Sequence, residues 1–306
     1  MQPSMRRTAS VFVFALALLT AALVAFAPAR MPRSGRPRVA ATVFPLYDIV
    51  RTIAGPDADV TLILPPGAEP HSFEPQPSTV RDIAASGAVY AIGHGLDDWI
   101  DAAADSAGTS KVLVDRGIAL RPPPYAVAIS GGTADQDGSD ADPHYWLNAR
   151  NGVIIAETVA ADLSRRYPAH AEGFQARLDA YRTRLLALDD EIRAELAARP
   201  QKNIVTFHAA WYYFADAYGL LVLGTFEPAP GREPSPKGLA ALKNAVRDGG
   251  VKTLFAEPLF SDAAIESFAK DEGLDIAKID DIGGFPGRDT YESLLRTNAE
   301  TISRSR

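Results

Sequence analysis

The chain has 306 residues, 47% of them hydrophobic, a formal net charge of −7 and no cysteine. That length and apolar content support one large domain or two medium lobes, and the negative charge argues against bulk nucleic-acid binding. Without cysteine there are no disulfides, thiolate metal sites, Cys nucleophiles or N-terminal lipidated Cys, so any transition-metal site must be built from His, Asp and Glu.

In chain order, Arg6 and Arg7 precede an unbroken low-polarity run from Val11 to Ala27, closed by Ala27-Pro28-Ala29. A basic start, an apolar middle and a small-residue cleavage site predict a cleaved signal peptide over residues 1–29 and a periplasmic location. An uncleaved membrane anchor is the competing reading, since the run sits at the short end of what a span needs. Met31 to Arg38 reads as a linker.

From there short β-rich runs alternate with helical ones. Strands are predicted at Val39–Val43, Val60–Leu64, Val89–Ile92 and Lys111–Val114. Helices are predicted at Tyr47–Ala54, ended by Gly55-Pro56-Asp57, and from Pro77 to about Ser86, with Ser78 as N-cap. This alternation implies an α/β lobe on a mainly parallel sheet. Arg121 to Asp142 breaks the pattern: Pro122-Pro123-Pro124, then Gly, Ser and four Asp, which reads as an exposed loop. Helix returns at Asn151–Tyr167, Pro168 interrupts it, and Ala169–Ala198 follows as one long helix. Its apolar stripe is Phe174, Leu178, Tyr181, Leu185, Leu188, Ile192 and Leu196, at steps of four and three. A helix of about 30 residues spans about 45 Å and suits a stiff strut between lobes.

The second half repeats the first: strand Ile204–Phe207, helix His208–Tyr218, strand Leu220–Leu223, helix Lys237–Arg247, strand Thr253–Phe255, helix Ser261–Lys270 and strand Ile276–Ile279. Pro66-Gly67-Ala68-Glu69-Pro70-His71 recurs as Pro230-Gly231-Arg232-Glu233-Pro234-Ser235, and Val112-Leu113-Val114-Asp115 as Ala277-Lys278-Ile279-Asp280. The expected architecture is therefore two Rossmann-like α/β lobes of similar topology joined by a long rigid helix, with a ligand cleft between them. The expected division is an N-terminal lobe at 39–167, a linking helix at 168–199 and a C-terminal lobe at 200–306.

Only five histidines are present, and three have unusual settings. His71 lies in Glu69-Pro70-His71-Ser72-Phe73-Glu74-Pro75, His144 in Asp142-Pro143-His144-Tyr145-Trp146-Leu147, and His208 in Thr206-Phe207-His208-Ala209-Ala210-Trp211. Each falls at or past a predicted strand end, where open α/β sheets bind ligands. Asp280 ends the last predicted strand. Three neutral imidazoles and a carboxylate make a closed four-coordinate set suited to zinc, so His71, His144, His208 and Asp280 are the candidate metal ligands. Asp281 is the rival to Asp280, and the lobe echo favours Asp280. Glu257, after a strand, and Glu69 are candidates for orienting an imidazole; a turn role fits both equally. His94 reads as a loop residue or auxiliary metal contact, and His170 as a solvated surface group. Tyr145, Trp146, Trp211 and Tyr212 flank ligands as a dry wall or as plain core.

The chain resembles the metal-binding solute receptors of bacterial ABC importers, the zinc/manganese group that includes ZnuA-like, TroA-like and adhesin-lipoprotein proteins. The resemblance runs from about Val39 to Ile302. It is carried by Glu69-Pro70-His71 with Phe73-Glu74-Pro75 and Pro77-Ser78, by Gly93 through Trp99, by Asp142 through Leu147, by Phe207-His208 with Tyr213-Phe214 and Tyr218-Gly219-Leu220, and by Glu233-Pro234-Ser235-Pro236. Phe255-Ala256-Glu257-Pro258 and the Asp280 turn extend it.

The resemblance implies four ligands from these places, two per lobe, delivery of the ion to an ABC permease at the membrane, and no enzymatic turnover. A metallochaperone that loads the protein and a monomeric state are further expectations. It also favours Asp280 over Asp281. Two departures stand out. Many zinc members carry a His-rich loop before the second ligand; here that loop holds Asp135, Asp137, Asp140 and Asp142 and reads as a solvated spacer. The lipid-anchor Cys is missing, which favours a free periplasmic receptor. Manganese-type members usually carry Glu where this chain has His208, so three His favour zinc, with manganese the alternative cargo.

A zinc hydrolase with a water-bearing three-His site and Asp280 as base is the competing class, and an organic-solute receptor a third. No H-E-x-x-H, G-x-S-x-G, Walker A or G-x-G-x-x-G occurs.

Overall fold

Residues 35–122, 141–227, 234–261 and 263–306 are described by a computed structural model. The signal-peptide reading, the Asp135, Asp137 and Asp140 stretch, and the Pro230 to Glu233 part of the repeated motif lie outside the described residues.

Among the described residues eight short strands form two four-stranded, all-parallel sheets. The first contains β1 (Arg38–Ala41), β2 (Asp59–Leu62), β3 (Ala88–Ala91) and β4 (Ser110–Leu113), in the order β2-β1-β3-β4. The second contains β5 (Asn203–His208), β6 (Leu221–Glu227), β7 (Thr253–Ala256) and β8 (Asp275–Lys278), in the order β6-β5-β7-β8. The order is the same in both, so the repeat read from the sequence is a repeat of topology. In each sheet the chain reverses direction of travel between the first and third strands, the switch point that leaves a crevice at the carboxyl ends.

The helices are α1 (Phe44–Ala54), α2 (Pro77–Ala84), α3 (Ile100–Ala107), α4 (Ala149–Arg166), α5 (Ala171–Ala197), α6 (Tyr212–Tyr218), α7 (Pro236–Asp248), α8 (Ala263–Glu272) and α9 (Tyr291–Arg304). Their starts follow local chemistry. Pro opens α2 and α7, where its missing N–H costs nothing. Ser235 caps α7 through Gly238 N, Asn148 caps α4 through Arg150 N, and Thr290 forms a capping box with Ser293 on α9. Gly108 and Gly219 end α3 and α6 in the left-handed region, which glycine enters freely.

Strand side chains alternate between two cores, as a period of two requires. Val39, Ala41, Ala88, Tyr90, Ile204 and Phe255 point into the central core shared by both sheets. Ala40, Val89 and Ala91 face a second cluster with Ile83, Ile100 and Ala104 of α2 and α3. Val205, Phe207, Leu254 and Ala256 face a third with Leu242, Val246, Ile265 and Phe268 of α7 and α8. Covering both faces is what lets parallel strands this short persist.

The long helix α5 has 27 residues, about 40 Å by helical rise. All seven residues of the expected stripe are buried, against α4, α9, α1 and α6. Asp189 interrupts the stripe as a buried acid and accepts from Arg150 and Arg193. Among the described residues no helix is long and apolar enough to cross a membrane.

Several sequence expectations are corrected. His208 closes β5 instead of opening a helix, and α6 begins only at Tyr212. The N-cap of α2 is Gln76, not Ser78, because Pro77 takes the first helical position. Helices α3 and α9 carry no expectation at all. The first is short and alanine-rich, and the second is set by its capping box. His170 is not simply solvated: its Nδ1 lies 3.1 Å from Asp57 Oδ1, in a carboxylate that Arg177 also holds.

Candidate metal centre

The candidate residues lie at or beyond the carboxyl ends of strands, His208 on a strand and the others on loops. His71 lies between β2 and α2. Its turn is tied by Glu69, whose carboxylate accepts from His71 N at 3.0 Å and Ser72 N at 2.7 Å, and Trp99 Nε1 donates to Pro70 O at 2.8 Å. Glu69 therefore shapes the turn through backbone amides. His144 precedes the 3-10 turn Tyr145–Leu147. His208 is the last residue of β5, and Asp280 and Asp281 follow β8.

The structure brings the three imidazoles together. Ring centroids are 5.5 Å apart for His71 and His144, and 5.4 Å for His144 and His208. Nε2 of His71 and of His144 is buried with no hydrogen-bond partner among the described residues. Leaving one such atom unpaired costs about 1–3 kcal/mol, so two side by side are a strong sign of an absent acceptor of lone pairs. Donor atoms of His144, His208 and Asp281 all lie within 4.8 Å of one another, the one such group of three among the described residues. Tetrahedral zinc with bonds of about 2.1 Å holds its ligands about 3.4 Å apart, so small side-chain shifts close this set around an ion.

The carboxylate in that group belongs to Asp281, the neighbour of the Asp280 expected from the sequence. Asp280 Oδ1 accepts from Ile282 N at 3.1 Å and Gly283 N at 2.9 Å, and its Oδ2 is 3.6 Å from Arg288 Nη1. Asn298 brackets its backbone, donating to Asp280 O and accepting from Asp280 N. Asp280 Oδ1 thus caps the turn while its buried Oδ2 has no hydrogen-bond partner among the described residues, and Asp281 Oδ2 lies 3.7 Å from His208 Nε2. Two adjacent Asp on one turn look alike in sequence; the Asx-type capping of the two following amides is the signal that tells them apart.

Behind the imidazoles sit further groups. Asp142 Oδ1 accepts from His144 Nδ1 at 2.9 Å and from His144 N at 3.0 Å. Asp142 was grouped with the acidic spacer, but it is fully buried; its place two residues before His144 was the missed clue. His208 Nδ1 lies 3.1 Å from Glu257 Oε1, which also accepts from Trp211 Nε1 at 2.8 Å. The His71 ring makes a backbone hydrogen bond to Gly95. Trp146 Nε1 donates to Asp281 O at 2.7 Å and packs its ring on His144. Trp146 and Trp211 are thus both core and support. His94 Nε2 pairs with Asp115 at 2.9 Å, and His94 is outside the converging group.

The electrostatics divide the site. Burial, together with the neighbouring His144 and His208, holds the His71 imidazole well below its ordinary range, so it is neutral and ready to ligate. Burial opposes charge on His208 as well, but Glu257 and Asp281 outweigh it and lift its pKa to about 9. Burial raises Asp281 to about 6 against the pull of His208.

The family model described as "Zinc-uptake complex component A periplasmic" (ZnuA) matches residues 39–305. The chain belongs to this family. Among curated relatives, the zinc-binding protein AdcA of Streptococcus pyogenes serotype M6 is 28% identical over 291 residues, covering 88% of this chain and 56% of AdcA. This chain therefore spans about half the length of the AdcA proteins it matches. The manganese-binding lipoprotein MntA of Halalkalibacterium halodurans is 30% identical over 263 residues, 84% of each chain. Among solved structures, Zn(II)-bound AdcAII of Streptococcus pneumoniae, a mutant variant, superposes with a TM-score of 0.77 at 25% identity, covering 88% of this chain and 98% of that one. The ZnuA-like fold, two parallel-sheet α/β lobes linked by a helix, is thereby shared.

Proposed function

We propose that this chain is an extracytoplasmic solute-binding protein that captures zinc and delivers it to a cognate ABC permease. The observation that carries this reading is the convergence of His144 and His208 on the Asp281 carboxylate, with His71 packed against His144 and the Nε2 atoms of His71 and His144 buried and unpartnered. His71, His144, His208 and Asp281 are the ligands in this reading, with Asp280 as the turn-builder in place of the fourth ligand first expected. Three imidazoles and one carboxylate suit zinc in number and softness. The AdcA relatives are named for zinc. Manganese is the second cargo to test, because the MntA relative is named for that ion.

In this reading residues 1–29 are a signal peptide, 39–167 the N-terminal lobe, 168–199 the linking helix and 200–306 the C-terminal lobe. The protein acts as a monomer and turns over no substrate. Four protein donors leave no position for the water that catalytic zinc keeps, which argues against the hydrolase. Equilibrium dialysis against a panel of divalent ions, with elemental analysis of protein purified from the exported fraction, tests the proposal. One zinc per chain is expected. Unchanged zinc binding in both His144→Ala and His208→Ala would sink it. Ester or peptide hydrolysis by the pure zinc form, lost in Asp281→Ala, would revive the enzyme reading.

A further inference from the structure

We infer that Glu257 is a positioning residue for metal capture, one that turns the His208 ring so that Nε2, and not Nδ1, is offered to the ion. The inference rests on the metal-binding reading above.

Glu257 directly follows β7 and is fully buried. Strands β5 and β7 are neighbours, with Thr206 opposite Phe255, so His208 and Glu257 arrive side by side two residues further on. Glu257 Oε1 is held by the Trp211 indole, and Oε2 has no partner among the described residues. A buried carboxylate with so few donors favours a further one, and His208 Nδ1 lies 3.1 Å from its Oε1. The distance admits a hydrogen bond but the ring sits off its line, leaving Nδ1 unsatisfied. A small rotation aligns it. Once Nδ1–H donates to Glu257, the free lone pair of the neutral ring is on Nε2, the nitrogen that faces Asp281.

Glu257 itself is outside the group of converging donors, which holds His144, His208 and Asp281. The comparison within the site sharpens its role. Asp142 orients His144 from two residues away and is fixed by that residue's own amide. The His71 ring has a peptide group of Gly95 as its partner. Only Glu257 reaches its imidazole across a strand pair, so the orientation of His208 depends on the second sheet being formed. A carboxylate behind an imidazole also makes the ring a stronger donor to the metal.

The test uses the full chain with 15N-labelled histidine, in parent, Glu257→Gln and Glu257→Leu forms. Zinc affinity is read by competition with a chromophoric chelator, and the bound nitrogen by imidazole NMR. The parent is expected to bind zinc through Nε2 of His208 with a slowly exchanging Nδ1–H. Glu257→Gln keeps an acceptor, so it is expected to retain Nε2 ligation with about tenfold weaker binding. Glu257→Leu is expected to lose about a hundredfold and to show fast Nδ1–H exchange. Should the Leu form not fold, the Gln form decides. Zinc on Nδ1 in the parent, or affinity within about twofold of the parent in the folded variants, overturns the role of Glu257 alone. A parent that binds no zinc removes the metal-binding reading itself.

Discussion

The first sheet and the second share strand order and two-sided burial, yet they furnish the site from different places. In the first sheet the arms that carry the proposed ligands follow β2 and β4, giving His71 and His144. In the second they come from the end of β5, the counterpart of β1, and from the turn after β8, giving His208 and Asp281. Only the position after the fourth strand is used twice. The acids near the third strands differ too. Asp97 spends its oxygens on Thr42 Oγ1, Ile92 N and Gly93 N, and so holds the loop after β3. Glu257 keeps one oxygen unpartnered and sits against a ligand. A repeated topology therefore fixes where strand ends lie, while single residues decide which ends carry chemistry.

That comparison can be broken most sharply at the ligands. His144→Ala and His208→Ala, one from each lobe, are each expected to weaken zinc binding by about a hundredfold or more, about 2.7 kcal/mol, read by chelator competition. A large loss in only one of them would confine the site to one lobe. Next, Asp281→Ala should lose about 10- to 100-fold in affinity with little change in melting temperature. Asp280→Ala should do the reverse, because two amides lose their acceptor at about 1–3 kcal/mol; a swapped result would restore Asp280 as the ligand. Third, a Cβ at Gly152 would lie 2.6 Å from the Tyr291 ring. Gly152→Ala is expected to destabilise the fold by about 1–3 kcal/mol in urea denaturation, since α4 and α9 meet there without slack.

The smallest effect concerns protons. With its pKa raised to about 9, His208 holds a proton in the metal-free protein at pH 7 and must shed it to ligate. Zinc loading at pH 7 should then release close to one proton, measured by calorimetry in buffers of different ionisation enthalpy. Apparent affinity should climb about tenfold per pH unit from about 6.5 to about 9, then level. The sign for stability is opposite in the metal-free form: the contribution of His208 is complete below about 6.5 and lost as pH rises through about 9. Loading without proton release would place His208 outside the coordination set.

Much of this was legible in the sequence because it rests on local rules. Strand positions, the α5 stripe and the three histidines that the structure brings together follow from periodicity and from residue types at strand ends. What the sequence hid is set by distance or by conformation. Asp280 and Asp281 differ only in which one caps the turn. Asp142 looked like spacer because burial is invisible in a run of acids. Glu257 touches His208 only because β5 and β7 pair. The start of α6 slipped because Ala209 and Ala210 are good helix formers, yet the chain at His208 is still extended.

One small contact has a large mechanical meaning. Trp146 grips the Asp281 carbonyl, and the hydroxyl of Tyr291 donates in turn to the Trp146 carbonyl. Phe44 of α1 lies against Gly283 and Gly284 so tightly that either Cβ would come within 3.3 Å of its ring. On the other flank Tyr213 reaches the Asp142 carbonyl. The two halves are thus laced together on both sides of the candidate site, and jaw-like parting would undo every stitch at once.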